Sequence, residues 1–253
     1  MNILKNLACT AFVIICSCLV LSAQTDIIAG KQMLQAGENR NNAAKLIEAR
    51  TYFEKLIASS STPPQKTLAL YYAGYACYRL VNTTQNDTER EAFVDAGIKH
   101  LETCVQLDKT FADGHALLAG CYGRKAGMGM MNAMKYGSKS GETMQAALQL
   151  APNNPRAMIM SGTSLYYRPA MFGGDKKKAV ELWQRAAQIL DETPATETSQ
   201  PSWGHEEAYA WLGQAFADEG NKDAAKAAYE RALEINPEYG WVKNVLMPNL
   251  AKK

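Results

Sequence analysis

The segment Arg168 to Val180, RPAMFGGDKKKAV, carries the residue types that cradle a phosphate: two glycines, an aspartate and three consecutive lysines. Backbone N–H groups at a helix start, with cations beside them, attract anions. A nucleotide-binding loop needs Gly-x4-Gly-Lys-Ser/Thr after a strand, and this segment has neither the spacing nor the strand. A turn into a helix accounts for the same letters, with Asp175 as the capping residue. A second candidate is the run Gly127 to Gly137, GMGMMNAMKYG, in which Met128, Met130, Met131 and Met134 crowd together. Thioethers bind Cu(I) and also make adaptable partner surfaces, or simply pack inward. No histidine cluster supports copper.

Catalytic constellations are missing from the pattern. The histidines are His100, His115 and His205. HEEAY, starting at His205, lacks the second histidine of a zinc-protease helix, and no Gly-x-Ser-x-Gly is present. Cys121 and His115 are six residues apart and point to different faces of one helix. The expectation is a non-catalytic protein with no cofactor and no metal.

The elements that position these residues begin after a leader. Lys5 precedes an uncharged apolar run, Leu7 to Leu21, which closes in Leu21-Ser22-Ala23-Gln24. This reads as a secretory signal over residues 1–23, cleaved before Gln24. Lipid attachment at Cys18 is the rival, although the apolar run continues past it. No second stretch is apolar enough to span a bilayer. The expected compartment is the periplasm, with an extracellular or membrane-anchored location as alternatives. Cys77, Cys104 and Cys121 remain after the leader; an odd number without ligand spacing reads as small core residues. With 27 basic and 25 acidic side chains, well mixed, a nucleic-acid partner is not expected.

The body of the chain, residues 24–253, is periodic. Glu206 to Tyr239 forms a 34-residue unit in which Tyr209, Leu212, Gly213 and Phe216 share one helical face. Gly220-Asn221 is a turn, Ala225, Tyr229 and Ala232 share a second face, and Pro237 closes the unit. This resembles the tetratricopeptide repeat (TPR) family closely. Looser copies recur upstream, with Gly30, Gly74, Ala119, Gly162 and Gly213 in equivalent places. Their spacings of 44, 45, 43 and 51 residues exceed 34, so the extra residues belong to turns. The resemblance implies an all-α, right-handed superhelical solenoid of about five TPR-like helix-turn-helix repeats. A short capping helix containing Trp241 and Val245 would end at Pro248.

In such stacks the first helix of each pair lines a concave groove. The resemblance then places Tyr71, Tyr75, Tyr78 and Arg79 there from the second copy, Arg124 from the third, and Tyr166, Tyr167 and Arg168 from the fourth. Tyrosine and arginine commonly anchor binding surfaces. The expected function is an exported scaffold holding a peptide or protein partner in this groove. The overall plan also looks like the TPR component of TRAP-type transporters, which implies a solute-binding accessory subunit as the alternative.

Overall fold

A computed structural model of the chain describes residues 24–60, 62–193 and 198–252. The leader and Cys18 lie outside the described residues. The elements are α1 (24–39), α2 (Ala43–Ser59), α3 (Pro63–Leu80), α4 (Asp87–Leu107), α5 (Ala112–Ala126) and α6 (Met130–Leu150). They continue as α7 (Pro155–Tyr167), a 3-10 turn (Ala170–Phe172), α8 (Lys176–Asp191), α9 (His205–Asp218), α10 (Lys222–Ile235), a π turn (Val242–Leu246) and α11 (Met247–Lys252). The described residues form no strand. Five antiparallel pairs, α1/α2 to α9/α10, stack in chain order into an all-α solenoid.

The start of most second helices is set by an asparagine or aspartate. Asn42, Asn86, Asp175 and Asn221 cap α2, α4, α8 and α10, each side chain accepting from a backbone N–H of the first turn. Each such cap contributes about 1 kcal/mol. Helix α6 starts at Gly129 without a side-chain cap.

Small residues on the first helices set the pair spacing. A Cβ at Gly74 would come within 2.5 Å of Leu101, and one at Gly162 within 2.6 Å of Trp183 Nε1. Gly30 and Gly213 are closed in the same way by the rings of Phe53 and Tyr229. The third pair has Ala119 at this place, and its carbonyl accepts from Ser140 Oγ at 2.8 Å. The other four pairs each seat one large side chain of the second helix against one glycine of the first.

Two details depart from the sequence expectation. Matching the capping Asp175 to Asn221 puts Gly174 on Gly220, but the left-handed residue before α8 is Gly173, at φ 85°. The 3-10 turn between α7 and α8 shifts the register, and Gly174 is needed instead for its contact with the Arg168 carbonyl. Pro248 does not end the terminal helix. It sits in the first turn of α11, where its missing N–H costs nothing, after the π turn has absorbed the change in hydrogen bonding. Cys77, Cys104 and Cys121 are free, buried thiols, and burial pushes each up to about 12.

The ends of the solenoid meet. Asn236 Nδ2 donates to Asn39 Oδ1 at 3.0 Å, and Gly240 lies against the Asn39 carbonyl. The superhelix thus closes α1 onto the turn after α10.

Candidate functional site

The inner face of the first helices is where the sequence places a groove, and it is occupied by the chain itself. Tyr71 and Tyr75 lie one helical turn apart on α3, with parallel rings 6.5 Å apart. Trp203, from the segment between α8 and α9, stacks on Tyr75 with centroids 5.1 Å apart. Its indole N–H donates to Tyr71 Oη at 2.8 Å. Upstream of Trp203 the segment is held through its main chain. Tyr72 Oη donates to the Ser199 carbonyl at 3.0 Å. Lys31 Nζ donates to the carbonyls of Thr198 and Gln200, at 2.5 and 2.7 Å. A tyrosine and a lysine holding backbone carbonyls, with one aromatic side chain seated between tyrosines, is how a helical groove holds an extended peptide.

Below Trp203 sits a buried charge cluster. Arg79 bonds to Glu207 and, through Nε, to Glu38 Oε1 at 2.5 Å. Tyr75 Oη donates to Glu38 Oε1 at 2.8 Å and accepts from Arg79. Burial outweighs the pull of Arg79 and raises the Glu38 carboxyl above its ordinary value. For Arg79 burial acts downward, but Glu207, Tyr75 and Glu38 together keep its guanidinium charged. Trp211 completes the line: its indole N–H faces Glu207 at 3.4 Å and its ring meets Tyr167 edge-on at 5.8 Å.

The eight residues expected in the groove therefore divide. Tyr71, Tyr75 and Arg79 are packed against the chain's own segment, against α1 and against α9, and Tyr78 is buried beside Gly120 of α5. Arg124 is half-buried, lies 4.0 Å over the Tyr78 ring and donates to Asn82 Oδ1 at 2.9 Å. Tyr166 is buried beside Trp183 and donates to Asp218 at 2.9 Å. Tyr167 is 60% exposed. Arg168 turns back to Ser164 Oγ at 2.7 Å. It also borders a cleft of about 400 Å3 between α6 and α7, with Met144, Leu148 and Leu165 as its apolar wall.

Residues 206–239 match the tetratricopeptide repeat family model. The last helix pair is a tetratricopeptide repeat. Two solved structures share the fold of the longer chain at a TM-score of 0.63. TTC0263, a thermophilic TPR protein of Thermus thermophilus, is 18% identical over 90% of this chain and 98% of its own. The HusA haemophore from Porphyromonas gingivalis is 20% identical over 75% of this chain and 92% of its own. A search of curated protein sequences returns no significant match.

Within the TPR register, several inner-face residues follow rules that the sequence already carries. Lys31 stands one residue after Gly30, as Tyr75 does after Gly74. Tyr72 and Trp211 both stand two residues before the small residue of their pair. Trp203 and Glu38 obey no such rule, because they lie outside the matched helix faces. The methionines depart from inward packing: Met130, Met131 and Met134 are 82%, 85% and 80% exposed. Only Met128 packs partly against the core.

Proposed function

We propose that the protein is an exported, non-catalytic TPR binding protein that holds an extended peptide or partner-protein segment on its inner helical face. The observation that carries this is the seating of the chain's own residues 198–203 there, by Lys31, Tyr72 and the Tyr71–Tyr75 pair. A partner would take the same carbonyl and aromatic sites after displacing that segment. Export rests on the leader-like residues 1–23, which support a partner in the periplasm or beyond it.

The test is binding in trans. A labelled peptide of residues 198–204 should bind a Trp203→Ala variant, whose own segment is released, and should not bind the parent. If the peptide binds neither protein, the inner face does not act as a peptide site.

The cleft between α6 and α7 favours a second reading, in which the ligand is a small solute and the protein serves as an accessory subunit of a transport system. An apolar wall with one guanidinium at its rim fits a flat, carboxylate-bearing molecule. Haem is the solute to try first, given the fold shared with a haemophore. Titration with haemin should shift its Soret band, and Met144→Ala and Arg168→Ala should weaken the shift. An unchanged spectrum removes this reading.

A further inference from the structure

Two neighbouring turns make one apolar and basic edge. Helix α6 starts two turns ahead of the matching point of α8 in the next pair. Ser140 occupies the place that Ala225 has in the last pair, ten residues into α6 against three into α10. The two extra turns of α6 carry Met130, Met131, Met134 and Lys135, and Lys139 follows one turn on, all exposed. The turn of the fourth pair is the 3-10 segment, where Met171 and Phe172 are 83% and 66% exposed, followed by Lys176, Lys177 and Lys178. The two turns lie on the same side of the solenoid. The cleft shared by α6 and α7 has Gly141 and Arg168 among its lining residues. Lys176 folds back over the Tyr166 ring at 4.9 Å.

The charge on this edge is predominantly positive. Residues 128–141 contain no carboxylate, and residues 167–180 contain only Asp175, whose side chain is committed to capping α8. Carboxylates return at the flanking turns, with Asp87, Glu89 and Glu91 in the second pair and Asp218, Glu219 and Asp223 in the fifth. The methionines and Phe172 protrude rather than line a hollow. Single protruding apolar side chains interspersed with exposed lysines match a bilayer interface. The apolar groups enter the acyl boundary there, while the lysine stems lie along it and their ammonium groups meet lipid phosphates.

We propose that this edge, formed by the turns of the third and fourth helix pairs, docks on the surface of an anionic phospholipid membrane. It does so independently of whatever the inner face holds.

Vesicle co-sedimentation tests it with two variants. One carries Lys135→Gln, Lys139→Gln, Lys176→Gln, Lys177→Gln and Lys178→Gln. The other carries Met130→Ser, Met131→Ser, Met134→Ser, Met171→Ser and Phe172→Ser. Parent and variants are compared with residues 1–23 in the same state, so that any contribution of the leader cancels. The parent should bind vesicles of equal parts phosphatidylcholine and phosphatidylglycerol more strongly than phosphatidylcholine alone, with binding that weakens as salt is raised. Each variant should melt like the parent and partition into the anionic vesicles about tenfold less or weaker still. Equal binding of the parent to both vesicle types overturns the proposal. So does anionic-vesicle binding that neither variant weakens, which is also the result expected if the edge serves a soluble acidic protein.

Discussion

Trp203 lies flat on Tyr75, 19° from parallel, although 128 residues of chain separate them. The contact closes the inner face of the solenoid with a piece of the solenoid itself. It also joins two hydrophobic clusters, since Trp203 packs against the one built from α1 to α7 and against the one built from α7 to α10. The tryptophan is therefore a plug and a rivet at once.

Trp203→Ala should lower stability by about 2–3 kcal/mol, less than a fully buried tryptophan because this ring is only half-buried. The same change should expose residues 198–203 to protease. Limited proteolysis at native temperature, with cleavage mapped by mass spectrometry, reads this directly. A variant that melts lower but stays uncut there would show that Trp203 packs the core without retaining the segment.

The Arg79 cluster makes a sharper demand. Glu207 is almost fully buried, and its removal leaves the guanidinium with Glu38 as its remaining carboxylate partner. Glu207→Leu should cost about 3 kcal/mol, because a buried charge loses compensation. Replacing Glu38, Arg79 and Glu207 together by Gln, Met and Leu should cost less than Glu207→Leu alone. Thermal melts of the two variants decide it; a triple variant weaker than the single one would mean that the ionic pairing itself stabilises the closed ends.

Gly162→Val tests the packing rule. The new side chain would run into the Trp183 indole, whose N–H donates to the Ile159 carbonyl at 3.2 Å. Overpacking of this kind costs about 1–3 kcal/mol or more. Ala119→Val in the third pair should be milder if the added methyl groups find space toward Ser140. Equal losses at the two positions would imply that pair spacing is set elsewhere.

Residue periodicity carried the solenoid but not its closure. The small residue at Gly30, Gly74, Gly162 and Gly213 has to recur, because each faces a large side chain on the paired helix, and Ala119 meets Ser140 at the same place. The face that lines the inside follows from that register. Applied to the first copy, the same rule points to Lys31. What fills the inside does not follow. Trp203 sits in a connection, where no periodicity constrains it, and its partners are 128 and 132 residues away. Glu38 and Asn39 matter only because the ends of the chain come together, which depends on the summed twist of all five pairs. The exposed methionines were visible as a cluster, yet their direction depended on α6 starting two turns ahead of α8.

Asp191 gives the stack a pH dependence with a definite sign. It ends α8 and accepts from His205 Nε2 at 2.8 Å, Tyr209 Oη at 2.6 Å and Arg231 Nη2 at 3.0 Å, so it ties α8 to α9 and α10. Burial acts to raise its carboxyl, but the three donors outweigh burial and hold it below the ordinary aspartate value of 3.8. A carboxylate depressed in the folded state contributes stability that is complete above 3.8 and is lost as pH falls through the folded value. Asp191→Asn removes that contribution at neutral pH and has nothing further to lose in acid. Melting temperatures measured from pH 6 down to about pH 3 should therefore start lower for Asp191→Asn and converge with the parent at the acid end. Parallel curves would mean that Asp191 titrates alike in the folded and unfolded chain, and that its three partners do not act on its charge.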